Sequence, residues 1–228
     1  MQDRFLTPHK YLSPEEVAQF RRTLAVEARN ALARGILAPP RDEAILETIL
    51  GAGLRVSEAC NLCLGDLFLG YGEQEIIIRD SKRGKSRSVR IGAELKALLK
   101  RFLAWKRQHG EPMTPDAPIF LSERKGPYTT RGIQKRFKVY LKKAGISKTC
   151  GIHALRHSFA LLLYRSSGHN LRAVQQQLGH SSPSTTAIYA HVCDDELRQA
   201  VDHLFDATKS EKKPRKVWHL DTAEGEVA

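Results

Sequence analysis

One stretch of this chain breaks the pattern of all the others. From residue 73 to residue 92 it reads "EQEIIIRDSKRGKSRSVRIG". Ile76 to Ile78 are β-branched, and Arg87, Val89 and Ile91 alternate beyond an Arg-Gly tip. Period two around a glycine tip predicts a β-hairpin, crowned by Lys82, Arg83 and Lys85. Elsewhere the apolar residues recur at helical spacing. One hairpin among many helices points to an α+β class, mainly helical with a small antiparallel β-hairpin or sheet.

The helices carry their own punctuation. In "YLSPEEVAQF" Ser13 can cap, Pro14 suits the first turn and Glu16 completes a capping box, so a helix is expected to about Arg34, where Gly35 ends it. "APPRDEAILETILGAG" and "LRVSEACNL" follow as a second helix and a short third one. After the hairpin come an amphipathic helix, "AELKALLKRFLAWKRQ", and a loop marked by Pro112, Pro115 and Pro118. "IFLS" is expected as a short third strand. "TTRGIQKRFKVYLKKAG" is a basic helix, "HALRHSFALLLYRSSG" a long and largely buried one, and "NLRAVQQQLG", "SPSTTAIYAHV" and "DDELRQAVDHLF" are shorter ones. From Ala207 the sequence is charged and aperiodic, which fits a flexible tail.

Charge narrows the partners. With 37 Lys and Arg against 25 Asp and Glu, the 228 residues carry a net +12. A basic domain of this size favours polyanions, nucleic acid foremost. No apolar run is long enough to span a membrane, no basic amphipathic helix suggests a membrane surface, and "MQDRFLTPHKYL" lacks the apolar core of a signal peptide. A cytoplasmic protein is expected. "CNLC" (Cys60, Cys63) and "CGIH" (Cys150, His153) imitate a zinc ligand set, but the first pair lies in a helical apolar pattern, so buried thiols are expected, with no metal and no cofactor.

Four places concentrate reactive side chains. In "HALRH", His153, Arg156 and His157 share one helical face near a helix N-terminus, which makes an anion site. Arg55, in "GLRVSEA", is flanked by Leu54, Val56 and Ala59 and needs an anionic partner; Glu58 at i+3 is one candidate and a phosphate another. "LGHSS" places His180 after Gly179, and Tyr189 stands nine residues beyond His180 in "AIYAHV". Two arginines could grip a phosphate from two sides, histidines could move protons, and the tyrosine could attack, although ionising a phenol at pH 7 costs roughly 4 kcal/mol unless cations surround it.

Taken together and in this order, "GLRVSEA", the Lys82 hairpin, "HALRHSFA", "LGHSS" and "AIYAHV" resemble the catalytic domain of the tyrosine recombinases, the family of phage integrases and Xer-type enzymes. The resemblance implies a tyrosine-recombinase catalytic domain over residues 12–206, between a lead-in at 1–11 and a tail at 207–228. It implies that Arg55, Arg156 and His180 hold the scissile phosphate, that His153 assists proton transfer, that Lys82 protonates the leaving 5′ oxygen and that Tyr189 attacks, with Glu58 in support and His157 in packing. It further implies strand cleavage and rejoining through a 3′-phosphotyrosyl link, without metal or ATP, on double-stranded DNA held also by Arg83, Lys85, Arg87, Arg131 and Lys135. A tetramer on paired sites is expected, with Leu197, Val201, Leu204 and Phe205 docking on a neighbouring protomer. Such enzymes usually carry a further N-terminal helical domain that clamps DNA; eleven residues precede Leu12 here, so weaker site-specific binding by this chain alone is expected. Two other activities fit fewer of the residues: a type IB topoisomerase, and a DNA-binding regulator without chemistry.

Overall fold

The computed structural model describes residues 6–80, 85–180, 182 and 184–192. They fall in the first of two compact units, Met1–Val192; the second, Cys193–Ala228, lies outside the described residues, and with it the apolar stripe of Leu197, Val201, Leu204 and Phe205.

Helix α1 (Pro14–Leu32) starts as its sequence demands. The Ser13 hydroxyl accepts from the Glu16 amide at 3.2 Å, and the Glu16 carboxylate accepts from the Ser13 amide at 2.7 Å. Helix α2 (Ala38–Ala52) is the hub. Its apolar residues run all the way round instead of along one stripe, and the segment Ala44–Leu50 is buried throughout, the polar Glu47 and Thr48 included. A helix apolar on every side must be surrounded. Around it pack α1, the short α3 (Val56–Cys60), α4 (Ala93–Gln108), α5 (Thr130–Lys143) and α6 (His153–Ser166). Phe20 of α1 meets Phe137 of α5 edge to face at 5.6 Å between ring centroids. Helix α7 (Leu171–Leu178) follows α6, with Asn170 capping it, and residues 184–192 are helical.

The hairpin forms where the period changes. Strand β2 (Glu75–Asp80) pairs antiparallel with β3 (Lys85–Arg90), Ile76 opposite Val89 and Ile78 opposite Arg87. The third strand is not "IFLS". It is β1 (Leu67–Phe68), which pairs with β2 through Leu67 opposite Ile76, giving the order β1-β2-β3. Ile119, Phe120 and Leu121 are buried core, and their neighbourhood contributes only single bridges, Cys63 with Pro118 and Leu121 with Pro127. Pro118 has no amide to extend a ladder. Cys60 is a buried thiol whose pKa burial pushes up to about 11. No helix among the described residues is long and apolar enough to cross a membrane.

Candidate active site

Two helix ends converge on one arginine. Helix α2 stops at Gly53 (φ 66°) and α7 at Gly179 (φ 66°), both in the left-handed conformation that glycine adopts freely. Space also demands glycine. A Cβ on Gly53 would collide with the Phe159 ring, and one on Gly179 would stand 2.5 Å from Cδ of Arg87. Arg156, in the first turn of α6, donates from Nη1 to the Gly53 carbonyl at 2.7 Å and from Nη2 to the Leu178 carbonyl at 2.9 Å. A cation belongs at the negative ends of helices. With 6% of its side chain exposed, Arg156 is pushed down by burial and by the Arg55 charge to about 10, so it stays cationic at neutral pH.

Glu58 organises the other charges. Its carboxylate accepts from the Arg55 amide at 2.8 Å and from Arg55 Nη1 at 2.8 Å. Arg87 of β3 approaches with both prongs, Nη1 and Nη2 each at 2.9 Å. Arg156 Nη1 lies 3.8 Å away. Burial alone would raise the Glu58 carboxyl; the bonds from Arg87 and Arg55 hold it below its ordinary value instead. One carboxylate against three guanidinium groups leaves this cluster with two surplus positive charges. Arg55 keeps 44% of its side chain exposed, so the surplus faces solvent.

Beside these cations stand two histidines and a tyrosine. His180 follows the Gly179 turn, and its Nδ1 lies 3.0 Å from the Thr186 hydroxyl. His157 Nδ1 lies 3.0 Å from the hydroxyl of Tyr189, which is 1% exposed. Burial first, then neighbouring cations and His153, push His157 to about 4; burial with Arg156 and Arg55 pushes His180 to about 4. Both are neutral at physiological pH. Burial raises the Tyr189 phenol to about 12, with Arg156 pulling the other way. His153 begins α6; partial desolvation, then the charges of Arg156 and Arg55, lower it below its ordinary value.

Residues 15–196 match the phage integrase family. The chain is 38% identical over 173 residues to tyrosine recombinase XerC of Proteus mirabilis, a match covering 75% of this chain and 54% of that protein. It is 39% identical over 162 residues to XerC of Halalkalibacterium halodurans, covering 69% and 52%. The chain belongs to the phage integrase family of tyrosine recombinases. It spans about half the length of the curated relatives it matches. Among solved structures, it superposes on the XerA recombinase with a TM-score of 0.69 at 32% identity, covering 86% of this chain and 66% of the other. It superposes equally well on the XerH site-specific recombinase bound to palindromic difH substrate in a post-cleavage complex, at 28% identity, covering 86% and 53%.

Within this phage integrase domain, Arg156 lies 3.8 Å from Glu58, which Arg55 also meets, and its charge acts on His180 and Tyr189. Two residues meet partners that the sequence did not show, and a third was missed. Arg87, read as a DNA contact, turns its guanidinium onto Glu58, because Arg87 shares the inward face of β3 with Val89. That alternation was the available signal, since an arginine beside the buried Val89 and Ile91 needs a buried anion. His157, read as packing, holds the Tyr189 hydroxyl; its place just ahead of the buried "SFALLL" run predicted burial but not the partner. Thr186 was missed, since nothing local marks a threonine as a histidine partner. Arg131 and Lys135 are exposed on α5. Lys85 begins β3, whereas Lys82 and Arg83 lie outside the described residues.

Proposed function

We propose that this chain is the catalytic domain, residues 12–206, of a cytoplasmic site-specific DNA recombinase that cuts and rejoins strands through a 3′-phosphotyrosyl link, with neither metal nor ATP. The carrying observation is the buried Tyr189 hydroxyl bonded to neutral His157, within the field of Arg156. Ionising that phenol outright at pH 7 would cost about 7 kcal/mol. The proton therefore leaves as the bond to phosphorus forms. The Tyr189 oxygen attacks the scissile phosphorus, its proton passes to Nδ1 of His157, and the bond from phosphorus to the 5′ oxygen breaks. Lys82 delivers a proton to that oxygen. Arg55, Arg156 and His180 donate to the non-bridging oxygens, where planar forks and fixed charge stabilise the transition state. His153 supports the proton path from the solvent side.

A phosphotyrosyl ester conserves the energy of the phosphodiester, so a 5′ hydroxyl can reverse the step. Strand exchange then needs two duplexes and several protomers, assembled as a tetramer on paired sites. The relatives named as tyrosine recombinases, and a neighbour captured with cleaved substrate, support DNA as the substrate class.

The test is a pool of nicked duplexes with randomised arms, in which the cut fragment diffuses away and traps the adduct. Wild type is expected to give a covalent species on a denaturing gel, and Tyr189→Phe to bind the same duplexes without it. An adduct that survives Tyr189→Phe would move the nucleophile elsewhere.

A further inference from the structure

Glu58 is full. A carboxylate offers about four lone-pair sites. Oε1 accepts from Arg55 Nη1 and Arg87 Nη1; Oε2 accepts from the Arg55 amide and Arg87 Nη2. Arg156 therefore stays at 3.8 Å, outside hydrogen-bond range, and spends its two buried bonds on helix-end carbonyls. A guanidinium has five donors, so Arg156 keeps N–H groups for another anion. The Arg87 side chain also fills the space beside Gly179, one residue before His180.

We propose that Arg87 is a positioning residue for the phosphate site: by taking one acceptor site on each oxygen of Glu58 while Arg55 takes the others, it keeps Arg156 from pairing with that carboxylate and leaves the surplus charge for a phosphodiester. This rests on the recombinase reading above. Without Arg87, Glu58 gains two vacant acceptor sites, and the cation standing just out of reach of them is Arg156. The cluster falls from two surplus charges to one, and Arg156 turns onto Glu58.

A charge mechanism leaves a signature that a packing role does not. A methylphosphonate at the scissile position removes one negative charge from the reacting phosphate. The experiment measures adduct formation at saturating protein on one duplex recovered from the pool, as phosphodiester and as methylphosphonate, with melting temperature as the check on folding. Arg87→Met is expected to slow the phosphodiester about 10- to 100-fold and the methylphosphonate at most about 3-fold. Adding Glu58→Gln, which restores two surplus charges, is expected to recover most of the loss. Arg87→Lys keeps the charge, loses the fork and falls between; it carries the test if Arg87→Met does not fold. An equal slowing on both backbones, or no slowing on the phosphodiester, overturns the proposal. A wild-type protein that forms no adduct with any duplex sinks the recombinase reading, and this inference with it. A normal wild-type reaction with an unselective Arg87→Met defect sinks only the inference.

Discussion

Two carboxylates near opposite ends of α2 pair with arginine, and their clusters differ in charge balance. Asp42, near the start of α2, is fully buried. It takes Arg136, the Tyr128 hydroxyl at 3.0 Å and the Tyr140 hydroxyl at 3.3 Å. One anion meets one cation and two neutral donors, so the charge closes to zero. Glu58, beyond the end of α2, takes part of three guanidinium groups, and the charge does not close. A balanced buried cluster holds helices together and asks for nothing more. A cluster with surplus positive charge and a half-exposed member asks for an anion. Burial and hydrogen bonding look alike in the two places; only the charge count separates scaffold from site.

Breaking one member of each cluster gives the largest contrast. Arg156→Ala is expected to slow adduct formation about 10³-fold or more, while costing about 1–3 kcal/mol of stability for the two carbonyls left unpaired. Asp42→Ala is expected to do the reverse. It strands Arg136 and two hydroxyls at a cost of about 3–5 kcal/mol, with the rate per folded molecule unchanged. Urea titrations beside single-turnover adduct assays check both. A rate defect in folded Asp42→Ala would erase the distinction.

Acid separates the clusters next. His157 and His180 are held near 4, below the ordinary 6.5. The unfolded chain therefore binds protons that the folded chain refuses, and stability is lost as pH falls from about 6.5 towards about 4. Asp42, whose carboxyl burial raises despite Arg136, works in the opposite direction, because its protonation favours the folded form. Thermal melts from pH 7 to 4 are expected to lose a few kcal/mol, and His157→Gln to remove about half of that limb. An acid limb unchanged in His157→Gln would mean that His157 is not held neutral.

The smallest effect concerns the link between strand and helix. Gln177 of α7 meets both backbone groups of Arg90 on the open edge of β3: its Nε2 donates to the carbonyl at 2.6 Å, and its Oε1 accepts from the amide at 3.3 Å. Gln177→Ala is expected to cost about 1 kcal/mol and to slow adduct formation no more than about 3-fold. A larger rate loss would make this clamp part of the site.

Much of this was legible because local chemistry forces it. Ser13 and Glu16 specify a helix start, and the alternation from Ile76 to Ile91 specifies the hairpin. The order of Arg55, Arg156, His180 and Tyr189 pointed to the family. What stayed hidden depended on partners far along the chain. Two residues, Leu67 and Phe68, are too few to show a period, so β1 was displaced onto the apolar "IFLS". Whether Arg87 meets DNA or Glu58 depends on α3 and β3 lying together, 29 residues apart. The same holds for His157 and Tyr189, 32 residues apart.

The central claim is that the surplus charge around Glu58 serves a phosphate attacked by Tyr189. Its most direct test is to digest the trapped adduct with protease and nuclease and map the modified peptide by mass spectrometry. The account predicts a nucleotide 3′-phosphate esterified to Tyr189 in the peptide containing "AIYAHV". A nucleotide on any other residue, Tyr164 included, would contradict it.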